Sequence, residues 1–146
     1  MADPTVALGV DVGARALHVV ALDDAGHVVV RTRLGGERPV DDLVGLATQL
    51  DRSDGRKLVV GIDGPAGPST GAHLDDHTLA PKFRPARGCE VELGRQRGIW
   101  VPWVTGPEPL VGWMAVAAAV HEAMTSAGHV PLETYPLPRR CVLLFG

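Results

Sequence analysis

Cysteine is nearly absent from this chain. Its two thiols, Cys89 and Cys141, form no C-x-x-C pair and no disulfide framework, which points to a reducing, intracellular setting. An excess of basic charge is absent too. Fourteen Lys and Arg stand against 17 Asp and Glu, for a net charge of −3. No global positive field therefore advertises nucleic-acid binding, although a local patch can still hold phosphate. Long apolar runs are also missing. The longest, LVGWMAVAAAV at 110–120, is too short to cross a bilayer. The opening MADPTVAL carries acid and proline where a signal peptide has basic residues and then an apolar run. The expectation is a cytoplasmic protein with no membrane partner.

What is present suffices for one folded domain over 1–146. Hydrophobic residues make up 45% and charged residues 21%, enough for a core in a globular chain of this length. Thr5–Val10 reads as a buried strand and Leu17–Leu22 as a second. The turn DDAG (23–26) leads into a third, His27–Leu34, as in a hairpin. Between Val40 and Leu50 the apolar residues Val40, Leu43, Val44, Leu46, Ala47 and Leu50 fall at helical spacing. Lys57–Ile62 is a continuous apolar run of the kind found inside a parallel sheet.

From Gly64 to Pro109 the chain is rich in Pro, Gly and Arg and shows no sustained period. A loop of that length is unusual unless it is functional or partly helical. Glu90–Arg97, between Gly88 and Gly98, is expected to be a short helix. Pro109–Ala127, with Pro in its first turn and Gly128 after its end, is expected to be a longer one. His129–Thr134 reads as a fifth strand, stopped by Tyr135-Pro136. The resulting order, β-β-β-α-β-α-β, is that of a ribonuclease H-like mixed α/β sheet flanked by helices. There the first strand lies centrally and the fourth runs beside it in parallel.

Two segments echo each other. ALGVDVG (7–13) and VVGIDGP (59–65) are strand-like runs that each end on one aspartate followed closely by glycine. A carboxylate at the end of a buried strand is costly unless it is paired or bonded. In the sheet order above, Asp11 and Asp63 stand side by side at the carboxyl edge, where open α/β sheets gather ligands. Adjacent carboxylates raise each other's pKa unless a cation lies between them, and oxygen-only sites suit Mg²⁺ or Mn²⁺. Glu133, in the fifth strand, is the candidate third acid. Two such metals can activate water and stabilise a leaving oxygen in phosphodiester hydrolysis. The competing reading is that each aspartate merely caps the turn that follows it.

Other residues carry weaker signals. Arg84, Arg87, Arg95 and Arg97 cluster in the long segment, and guanidinium groups suit phosphate. Trp100 and Trp103 offer either a stacking surface for bases or, more simply, loop anchors. In HLDDH (73–77) the two histidines have zinc-like spacing only if helical, and the surrounding Gly and Pro argue for loop. Cys89 has no evident histidine partner, so a nucleophilic role lacks support. His121 reads as a partly exposed helix residue.

Several blocks together carry a resemblance. GVDVGARALHVVAL, VVGIDGPAGPS, ARGCEVELGRQRGIWVPWVTG, GWM and LETYP run in an order that resembles the DUF429 family along nearly the whole chain. That family comprises predicted nucleases thought to share the ribonuclease H-like fold. The resemblance implies that Asp11, Asp63 and Glu133 are the site acids and metal ligands. It further implies that Arg87, Glu90 and Arg95 line the site and bind substrate, which would be nucleic acid or another phosphoester. Family chains continue past the ETYP strand to a later aspartate-bearing helix, whereas this sequence stops after RRCVLLFG (139–146). The expectation is a domain lacking that C-terminal portion, with one side of the sheet bare and a tendency to form a homodimer.

Two alternatives share the same strand order. An actin-like ATPase or sugar-kinase phosphate loop also begins Asp-x-Gly on a hairpin, but here Ala14-Arg15 replaces the expected hydroxyl residues. The small Holliday-junction-resolvase-like family fits the length but has no counterpart of RGCEVELGR. A degenerate, non-catalytic ribonuclease H-like binding protein is the non-enzyme alternative.

Overall fold

The computed structural model describes residues 4–52, 55–101, 103–137 and 140–144. A six-stranded mixed sheet is built from β1 (Thr5–Val12), β2 (Leu17–Leu22), β3 (Val28–Leu34), β4 (Lys57–Asp63), β5 (Leu132–Leu137) and β6 (Arg140–Leu144). Three helices accompany it: α1 (Pro39–Arg52), α2 (Gly88–Arg97) and α3 (Gly112–Ser126). The strand order is β3-β2-β1-β4-β5-β6. β1 is antiparallel to β2 and parallel to β4, β4 is parallel to β5, and β5 is antiparallel to β6. The mixed α/β class expected from sequence is what forms.

β1 alternates rather than being buried throughout. Val6, Leu8, Val10 and Val12 are buried, whereas Ala7, Gly9 and Asp11 face solvent. In β4, Val60 and Ile62 are buried while Val59, Gly61 and Asp63 are only half-buried. The reason is that helices cover one face. Leu43 and Ala47 of α1 and Ala117, Val120 and Met124 of α3 join the buried residues of β1, β2 and β4 in one apolar cluster. Each large aliphatic side chain buried there contributes about 1.5–3 kcal/mol. α2 packs instead into two small clusters, through Val91 and Leu93. Among the described residues no helix covers the second face of the sheet, the face of Asp11.

Elements differ from expectation at their ends. β1 and β4 each run past the expected end, to Val12 and Asp63, so both aspartates are in the ladder rather than beyond it. α3 begins at Gly112, because Val111 is held extended (φ −129°, ψ 163°), and Pro109 lies outside it. β5 passes through Tyr135-Pro136 to Leu137 and turns into β6, where no strand was expected. Proline is tolerated because β4 pairs only with Leu132–Thr134, so at Pro136 the ladder runs to β6 alone and the missing N–H is not needed on the other side. The long segment is partly helical, with a 3₁₀ turn at Pro81–Phe83 and α2.

Gly64, directly after Asp63, has φ +151°, and a Cβ there would lie 2.5 Å from Cβ of Ala117 on α3. The turn that ends β4 thus presses on a small residue of α3. Gly64→Ala is expected to lower stability by about 1–3 kcal/mol through overpacking, read as a lower denaturation midpoint with unchanged slope.

Candidate functional site

Asp11 and Asp63 are Cα partners across the parallel β1–β4 pair. Adjacent strands lie about 4.8 Å apart, so identical side-chain direction brings the two carboxylates together on the open face. Asp11 is exposed, and Asp63 is half-buried. The Oδ1 of Asp63 is buried with no hydrogen-bond partner, and Asp11 makes no hydrogen bond among the described residues. Neither aspartate is therefore a satisfied turn cap. Burial first, and then repulsion from Asp11, hold the Asp63 carboxyl above its ordinary value of 3.8. The folded chain keeps that proton more tightly than the unfolded chain, so ionisation as pH rises through this range costs stability. A positive charge between the two groups would reverse the penalty.

α3 fixes the turn behind Asp63 twice. Ala117 leaves room for Gly64, and one helical turn on, Nε2–H of His121 donates to the Gly64 carbonyl at 3.1 Å. The carbonyl can only accept, so the proton is on Nε2. His121 is buried rather than partly exposed, and that burial pushes its pKa down. Its neutral ring is a positioning device that sequence reasoning passed over. The partner is a backbone carbonyl distant in sequence, which no motif announces.

Glu133 is placed differently from the two aspartates. In β5 it is the register partner of Ile62, while Thr134 is the partner of Asp63. It therefore points to the helix side, where it is buried. Arg87 donates to both of its oxygens, from Nη1 to Oε2 at 2.8 Å and from Nη2 to Oε1. Its Oε2 also accepts the Ala66 N–H at 3.1 Å. The same guanidinium donates to Oε1 of Glu90 through Nε at 3.1 Å and Nη2 at 2.9 Å. Glu90 is 2% exposed and is completed by the Arg87 N–H at 2.9 Å and the Thr105 hydroxyl at 2.8 Å. Burial opposes the Arg87 charge, but the bond and attraction to Glu133, then attraction to Glu90, outweigh it and raise its pKa.

The sequence-predicted residues thus fall into separate groups. Asp11 and Asp63 meet on the open face. Arg87, Glu90 and Glu133 meet on the helix side, with Thr105 as an unforeseen fourth member. Arg95 joins neither, since it pairs with Asp76 at 2.7 Å and with the Thr78 hydroxyl at 2.8 Å. Thr78 and Arg95 bring the Asp76 pKa down to about 2. Among the described residues no group of three or more His, Cys, Asp or Glu is arranged to hold a metal, and HLDDH lies in turns rather than in a helix. Burial pushes the Cys89 thiol up, against the pull of Arg87, which disfavours the thiolate a nucleophile needs. Both loop tryptophans are internal anchors: Trp100 stacks on Phe83 at 4.3 Å, and Trp103 meets Trp113 and Tyr135 edge-on at 5.2 and 5.0 Å.

No protein-family model matches the chain, and no curated protein matches it either.

Removing one partner of a buried ion pair strands the other charge, at a cost of about 3–5 kcal/mol. Arg87→Met should therefore destabilise the fold by that amount in a denaturant titration. The double change Arg87→Met with Glu133→Gln should recover part of it.

Proposed function

We propose that the Asp11–Asp63 pair is a divalent-cation site, and that the protein is a DUF429-like, metal-dependent nuclease or phosphodiesterase on a ribonuclease H-like sheet. The observation that carries this is the in-register carboxylate pair at the ends of the two central parallel strands, one of whose oxygens is buried without a partner. An orphaned carboxylate oxygen is expensive to maintain unless something binds it. The donor set fits Mg²⁺ or Mn²⁺, which take carboxylate oxygens and complete their shells with water and substrate phosphate. The sheet order and strand directions support the ribonuclease H-like reading, as does the helical cover on the face opposite Asp11.

In this reading Asp11 and Asp63 hold the cation, which when bound polarises a phosphoryl oxygen and lowers the pKa of a water. Gly64, Ala117 and His121 keep Asp63 in place. Arg87 and Glu90 act at a distance by locking the segment after β4 against Glu133. Glu133 enters as part of that lock and not as a third ligand. One observation favours a second reading, a ribonuclease H-like binding protein without turnover. Among the described residues only two carboxylates converge, where hydrolysis with two metals uses more.

Mn²⁺ titration calorimetry on the wild type and on Asp11→Asn with Asp63→Asn tests the reading. Saturable binding that the double variant loses is expected. Equal heats for the two proteins would overturn it. Binding without cleavage of structured or single-stranded substrates would select the second reading.

A further inference from the structure

The open face carries a basic row that the carboxylate pair does not use. His18 of β2 is the cross-strand partner of Asp11, and Arg33 of β3 is the partner of His18. Read across the sheet, the row is Arg33, His18, Asp11, Asp63. One step along, Arg31 faces Val20, and the row continues through Gly9 and Gly61. Arg31, Arg33 and His18 are all exposed. None of them has a hydrogen-bond or ion-pair partner among the described residues. The two arginines sit at alternate positions of one strand, so both point to the Asp11 side, with Cα atoms about 6.7 Å apart. Arg33 lies two strand spacings from Asp11, about 10 Å.

We propose that Arg31 and Arg33, with His18 between Arg33 and the carboxylate pair, form a rail that holds the phosphodiester backbone of a nucleic-acid strand across the open face. The placement rests on the cation-site reading for which phosphate lies over Asp11 and Asp63. The rail itself stands on its own charge. Free guanidinium groups beside a carboxylate pair are complementary to a substrate that is anionic along its length, with a cation bridging the acidic end. A single small phosphoester would need only one of these positions. Gly9 and Gly61 put no side chain of their own on this face between the arginines and Thr134, whose methyl group lies against Gly61. Among the described residues these rows hold no Phe, Tyr or Trp, and Trp100 and Trp103 are engaged elsewhere. Recognition would then run through phosphates and be indifferent to base sequence.

The test measures binding of fluorescent oligothymidylate, and of a duplex of equal length, to the full chain without divalent metal over a range of salt. The proteins are the wild type, Arg31→Thr with Arg33→Thr, and Arg38→Gln with Arg52→Gln, at the two ends of α1, as a remote change of equal charge. Threonine keeps the strand propensity of β3. The rail variant should bind at least about tenfold more weakly, with a salt slope lower by about 2, one for each lost phosphate contact. The remote variant should follow the wild type, and the two probes show whether a single strand or a duplex is preferred. Equal weakening in both variants would overturn the rail. So would wild-type binding that is absent at low salt, or a dimer by light scattering that excludes the probe and marks this face as a contact between copies. Mn²⁺ binding by the rail variant separates the two ideas. Retained Mn²⁺ with lost oligonucleotide binding is the expected pattern, whereas oligonucleotide binding in a wild type that takes up no Mn²⁺ would sink the cation site and leave the rail standing.

Discussion

The guanidinium of Arg87 reaches two carboxylates from different parts of the chain: Glu90, at the start of the helix it opens, and Glu133, 46 residues on in β5. Few groups can satisfy two buried carboxylates at once. Arg can, because its donors form a rigid fork and its charge survives burial. Such a cluster is a poor source of net stability, since desolvation offsets most of the attraction. Its value is positional. It ties Ala66, the start of α2 and Thr105 to β5, and any rearrangement that parts these groups strands a charge in the interior.

That lock has a consequence for the open face. Both oxygens of Glu133 are engaged by Arg87, and the register of β5 turns it to the helix side, away from the face of Asp63. Asp11 and Asp63 are left as an isolated pair. Parallel pairing allows them no escape, because side chains in register on one face must lie next to each other. The turn after Asp63 is equally constrained, wedged against Ala117 and bonded to His121. The chain therefore maintains a like-charge contact that a single Asn would relieve. Strain of this kind is tolerated where function requires it.

Much of this was legible in the sequence. The echo of GVDVG and GIDGP gave two strands and, through their order, the side-by-side placement of Asp11 and Asp63. The turn DDAG and the periodic run from Val40 to Leu50 located the hairpin and α1 to within a few residues. Other features were out of reach for physical reasons. A continuous apolar run cannot reveal whether one face or both are covered, so β4 read as fully buried when it is not. Tyr135-Pro136 looked like a stop because the pairing that excuses the proline comes from β6. The Arg87–Glu133 contact joins residues too far apart for any local pattern, and it divided a predicted triad into a pair and a lock. Arg95 went the same way, drawn to Asp76 by a turn whose shape the sequence does not show.

Burial, and then the neighbouring Asp11, raise the Asp63 pKa above its ordinary value, and a cation held between the two carboxylates would lower it. Carbon-detected NMR of the aspartate side-chain carboxyls, titrated with acid in the absence and presence of Mg²⁺, addresses it directly. Without metal, Asp63 should titrate above 3.8. With Mg²⁺ its midpoint should fall and the Asp11 signal should move with it, while Asp76, paired with Arg95, stays unchanged. An Asp63 midpoint at the ordinary value, or one that Mg²⁺ leaves in place, would contradict the account.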